Sequence, residues 1–228
     1  MTATTHTVRW LAAAGIASLL ATAALAQSSP GATGEAVQPA PVAGTAEWPC
    51  EAPLRGEMSV GAMWQGPDPT TAQEEWRKTP AVVAVVNEIA PRRVPQDEAL
   101  AAVRRFASGY QGEERAKILT QVFAGVFETL SAERSQIVRG IKKFYRRQES
   151  LAERMEEGWK LLGEIDPNTT DPKLAEQRAA IQQQIDWDSR VFDDRQRLLP
   201  VVCEQPRVIE QRVFALSRAL QEQLAVTQ

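Results

Sequence analysis

Histidine is nearly absent from this sequence: the only one is His6, inside a segment that reads as a removable signal. Without it the chain has no imidazole for a catalytic triad, a usual zinc site or a haem ligand, and no C-x-x-C-H run for covalent haem attachment. The sequence lacks G-x-S-x-G, G-x-x-x-x-G-K-S/T and G-x-G-x-x-G, so hydrolase and nucleotide readings lose their usual warrant. No excess of one charge sign exists either. Of 26 Lys and Arg, removing Arg9 with the signal leaves 25, against 29 Asp and Glu, a balance that gives no reason to expect nucleic acid. These absences argue for a protein that is not an enzyme, with no cofactor and no metal.

At the N-terminus, Arg9 precedes an apolar run from Trp10 to Leu20 and then Ala24-Leu25-Ala26, an A-x-A cleavage site. The run is too short for a comfortable span, so the expectation is export to the periplasm, cleavage after Ala26 and no stable membrane insertion afterwards. Residues 27–47, rich in Gly, Pro, Ala and Ser, read as a disordered linker. Two cysteines, Cys50 and Cys203, in a chain bound for an oxidising compartment are expected to pair. An intrachain bridge would add about 3 to 5 kcal/mol, whereas pairing between chains would give a linked homo-oligomer.

What the sequence has in quantity is helical periodicity. Ile137, Ile141, Phe144, Gln148, Leu151, Met155, Trp159 and Leu162 recur at spacings of three and four, as do Leu174, Arg178, Ile181, Ile185, Asp188, Phe192, Arg195 and Leu199. Between them, Asp166 to Pro172 reads as a tight turn, with Asp171 as a cap and Pro172 in the first turn of the next helix. A turn centred on Asn168 places Leu151 opposite Ile185, Met155 opposite Ile181 and Phe144 opposite Phe192. It also sets Gln148 beside Asp188, a polar pair that would hold this register.

Wider apolar stripes at 118–130 and 208–220 need further helices to cover them, and Thr79-Pro80 and Pro95 open two. The predicted fold is all-α: a small helical bundle with a long antiparallel coiled-coil hairpin, residues 79–228, whose arm covers about 131–205. Pro200 and Pro206 are expected to kink or break the last helix where base meets arm. Residues 48–78, with many Gly and Pro, read as an irregular strap.

Such a chain suggests an accessory, scaffold or holdase-like protein whose arm contacts an unknown periplasmic partner. Tyr145 and Trp187 in mid-arm and Asn168, Thr169 and Thr170 at the tip are the candidate contacts. The alternative is a small-molecule module in which Trp48, Met58, Met63 and Trp64 line a pocket. Neither carboxylate grouping suggests a metal: Asp186, Asp188, Asp193 and Asp194 are interleaved with arginines, and the turn carries Asp171 and Gln177 where a calcium loop needs Gly and Glu.

Overall fold

A computed structural model describes residues 48–225. The expected signal peptide and the whole of the expected linker, residues 27–47, therefore lie outside the described residues. Six α-helices run in order: α1 (Val60–Met63), α2 (Thr70–Glu75), α3 (Pro80–Ile89), α4 (Gln96–Ala107), α5 (Gly112–Glu164) and α6 (Pro172–Ala225). The all-α hairpin is thus the architecture of the described chain, with α5 and α6 packed antiparallel along their lengths.

The base is a four-helix core. Val82, Val86 and Ile89 of α3, Ala102 and Val103 of α4, Leu119, Phe123 and Val126 of α5, and Ile209, Val213 and Leu216 of α6 are buried in one cluster. Close approach of α3 to α5 depends on Gly125, where an added Cβ would come within 2.8 Å of Val86 Cγ2 and 2.9 Å of Trp76 Cε3. The buried guanidinium of Arg212 closes the end of α3: Nη2 and Nε donate to Ile89 O at 2.6 and 3.2 Å, Nε to Ala90 O at 3.0 Å, and Nη1 to Val94 O at 2.9 Å. A cation is favourable there because the last carbonyls of a helix carry partial negative charge and lack intrahelical donors.

Beyond the base, the arm's register differs from a symmetric turn by one heptad. Leu151 and Met155 pack with Phe192, seven positions beyond the Ile185 expected opposite Leu151. Gly158 lies against Ile185, Ser189 Oγ reaches Met155 Sδ at 3.9 Å, and Ile141 clusters with Val202 and Cys203. Gln148 and Asp188 are both buried but bond elsewhere: Gln148 Nε2 donates to Phe192 O at 3.2 Å, while Asp188 accepts from Arg154. The physical reason lies at the tip. Arg178 Nη1 donates to Leu162 O and Ile165 O at 2.8 and 2.9 Å, capping α5, and Ile165 is buried beside it. This cap sets α6 so that residues 172–177 overrun the end of α5 and are exposed, Leu174 among them.

Two more expectations need correction. Of the kink or break expected at Pro200 and Pro206, the break does not occur: α6 runs as one helix through both. Each removes one N–H, but flanking turns are held by packing on α5, and Gln205 Nε2 donates to Val201 O at 3.0 Å between them. The strap is less irregular than its composition implied. Ser59 Oγ caps α1, Asp68 Oδ1 accepts from Thr70 N at 3.0 Å ahead of α2, and Trp76–Lys78 forms a 3₁₀ turn leading to α3. Burial drives this local order, since Trp64 stacks on Phe123 with ring centroids 4.3 Å apart and Trp76 is sunk into the core.

Candidate functional site

The strap is fastened where base and arm meet. Cys50 and Cys203 form an intrachain disulfide with Cα atoms 5.6 Å apart. Trp48 packs with Ile141 and donates from Nε1 to Ala52 O at 2.8 Å. Arg134, buried, pairs through Nε with Glu210 Oε1 at 2.7 Å and donates from Nη2 to Arg55 O at 2.9 Å. A buried ion pair needs its remaining donors satisfied, and the strap's backbone supplies that acceptor.

An open cavity of about 760 Å³ lies beside this junction, lined by Trp48, Leu54, Met63, Arg134, Glu210 and Phe214 among others. It takes up only half of the aromatic and methionine set that the sequence suggested. Trp48 and Met63 line it, Met58 borders a separate cavity with Phe127, and Trp64 is in the base core, its Nε1 bonded to Pro67 O at 2.7 Å. The four residues therefore do not form one pocket.

On the arm, the proposed mid-arm contacts separate. Tyr145 is packed inward; burial, with Glu149 beside it, pushes its phenol above the usual value. Trp187 is the opposite, 60% exposed, with the Arg190 guanidinium 5.8 Å from its ring centroid. At the tip, Asn168 and Thr170 are exposed and Thr169 partly so. Their loop is self-satisfied: Asp166 Oδ1 accepts from Asn168 N at 2.8 Å, and Asp171 Oδ1 from Lys173 N at 2.8 Å. Trp159, expected in the seam, is 44% exposed because Gly158 occupies the position facing Ile185.

Sequence reasoning missed Arg154 as the partner of Asp188, and two exposed apolar side chains. Asp188 draws Arg154 across the groove, with Nη2 to Oδ1 at 3.1 Å. Burial pushes the Asp188 carboxyl up, but hydrogen bonds from Arg154 and Gln184 outweigh it and hold the group below its usual range. Leu198 and Val201, also overlooked, are 57% and 62% exposed on α6. Their signal was available as a second three-and-four spacing beside the seam, Gln184, Trp187, Val191, Asp194, Leu198, Val201 and Gln205.

Among the described residues no group of His, Cys, Asp and Glu is placed to hold a metal ion, and no helix is long and apolar enough to cross a membrane. No protein-family model, curated protein or solved structure matches this chain.

Proposed function

We propose that the protein is exported, loses residues 1–26, and acts in the periplasm as a non-enzymatic accessory or scaffold protein, or a holdase-like assembly factor, through its helical arm. The observation that carries this reading is the set of large apolar side chains left on the outside of a hairpin whose own seam is already filled. Trp159, Leu161, Leu174 and Trp187 are exposed on the distal arm, while Leu151, Met155, Leu162, Ile185 and Phe192 close its interior. Exposed aromatic and leucine side chains that add nothing to the hairpin's core are what a partner's apolar surface would cover. The intrachain disulfide is compatible with an oxidising compartment.

Removing the distal arm tests this. Because Leu151 and Phe192 are neighbours, residues 152–191 can be replaced by a short glycine-rich turn that leaves base, strap and disulfide in place. The intact protein is expected to capture a stoichiometric partner from periplasmic extract, and the shortened one to lose it while keeping the base's cooperative melting. Unchanged capture by the shortened protein contradicts the reading. The cavity lined by Trp48, Met63 and Phe214 supports a second reading, a small-molecule module. A co-purifying apolar compound, retained after arm removal, would favour it.

A further inference from the structure

The cavity where base meets arm has one wall that the fold fixes in place. Cys50 is tied to Cys203, Trp48 Nε1 donates to Ala52 O at 2.8 Å, and Arg134 Nη2 donates to Arg55 O at 2.9 Å. Residues 52–55 are therefore held over α6 by their backbone, while their side chains stay exposed. The floor is α6 itself. Cys203, Arg207, Glu210 and Phe214 line it at spacings of four, three and four, which is one face of a helix. From Cys203 to Phe214 this floor is roughly 16 Å long at ~1.5 Å per residue.

Leu54 and Phe214 remain 37% and 53% exposed on this lining, beside Trp48 and Met63. A lone exposed apolar side chain means little, but several converging on one concavity of about 760 Å³ have the character and size of a small-molecule site, typically about 300 to 1,000 Å³. The charges on the lining are unequal: three arginines and one glutamate. Arg134 is taken up by that glutamate, Glu210, at 2.7 Å, and Arg207 donates from Nε to Glu204 Oε1 at 2.6 Å. Arg55 is left without a side-chain partner among the described residues, as are the amides of Gln96 and Gln211 on the same lining. The strap's acids do not cancel it there, since Glu51 is not on the lining and Glu57 borders a separate cavity.

We propose that this cavity binds an amphiphilic carboxylate, with its apolar body against Trp48, Leu54, Met63 and Phe214 and its anionic head at Arg55. The inference rests on the second reading above, that a small molecule occupies the cavity, and adds the chemical class. A cation in a concavity with apolar walls attracts an anion more strongly than one on open surface, because the low-dielectric walls focus its field. A carboxylate also matches the planar fork of a guanidinium, and the free amides supply further donors. A cationic amphiphile would meet the uncompensated Arg55, and a neutral one would gain nothing from it.

Titration calorimetry of the purified protein, disulfide intact, tests this with dodecanoate, dodecanol and dodecyltrimethylammonium, each kept below the concentration at which it aggregates. Dodecanoate is expected to saturate one site, and the neutral and cationic probes to bind about tenfold more weakly or worse. Arg55→Gln should weaken dodecanoate about tenfold and leave dodecanol unchanged. Phe214→Ala and, separately, Leu54→Ala should weaken both. All three side chains are exposed, so each variant is expected to melt as wild type does. Equal binding of either other probe, or dodecanoate binding unmoved by Arg55→Gln, overturns the anionic class and leaves the small-molecule reading standing. No saturable binding of any probe, or binding indifferent to both Phe214→Ala and Leu54→Ala, overturns both.

Discussion

The side-chain amide of Gln148 donates to the backbone carbonyl of Phe192 at 3.2 Å inside the arm. A buried glutamine that finds a main-chain acceptor at this layer fixes the pairing of α5 with α6, and the apolar layers on either side follow from it. Shifting α6 by one heptad would bring another residue's backbone to that place, but it would also remove Arg178 from the two carbonyls at the end of α5. The register is therefore held at its tip and its middle by different bonds.

Gly158 gives a test by substitution. A Cβ there would meet Ile185 Cγ1 at 2.9 Å, while Gly140 has nothing within 4 Å. Gly140→Ala is expected to stabilise by about 0.5 to 1 kcal/mol through helix propensity. Gly158→Ala is expected to be less stable than Gly140→Ala by about 1 to 3 kcal/mol, because overpacking opposes the same propensity gain. Urea titration followed by circular dichroism measures both; equal gains would mean that Gly158 does not face Ile185.

Much of this was legible in the sequence, and the exceptions have physical causes. The helices opened by Pro80 and after Pro95 lie where their starts signalled them, and the cysteine pair closes as expected. The pairing of seams was not fixed by pattern, because a heptad repeat fits itself equally well when moved by seven. The Arg178 cap helps to break that tie, and an arginine at a seam position looks in sequence like an imperfection. A break at Pro200 or Pro206 did not follow, since the local cost of proline says nothing of the long packed helix on either side. The tryptophans of the strap were grouped by nearness in sequence, yet Trp48 belongs to the arm junction and Trp64 to the base core.

The buried Arg212 is expected to be the costliest polar side chain to remove from the base. Arg212→Met keeps the stem's volume but strands the carbonyls of Ile89, Ala90 and Val94. A loss of about 2 to 4 kcal/mol follows from their desolvation without donors. Equilibrium unfolding reads it, with exposed Arg218→Met as a control expected within about 0.5 kcal/mol of wild type.

Removing the disulfide by Cys50→Ser with Cys203→Ser frees the strap from α6 across a sequence separation of 153. The expected loss is about 3 to 5 kcal/mol. Amide exchange should rise first around Trp48, Ile141 and Val202, which cluster at the bridge. A loss confined to α1 and α2, with that cluster still protected, would contradict this role for the staple.

Acid should weaken the arm through Asp188. Its carboxyl is held below the ordinary range in the folded protein, so the ionised form favours folding above the unfolded value of about 3.9. That contribution is fully present above the unfolded value and is lost as pH falls through the lower folded one. Asp188→Asn is expected to be less stable than wild type at neutral pH and to lose less on going below about pH 4. Parallel stability curves for the two proteins across that window would show that Asp188 does not take part.

The most direct measurement pairs cysteines across the arm in a background lacking Cys50 and Cys203. Met155→Cys with Ser189→Cys joins positions whose native side chains meet at 3.9 Å, whereas Met155→Cys with Ile181→Cys joins those that a turn symmetric about Asn168 would bring together. Under a short bifunctional maleimide the first pair is expected to close within the chain rapidly and nearly completely, and the second to remain open. Efficient closure of the second pair with failure of the first would contradict the register, and with it the arrangement of every surface described on the arm.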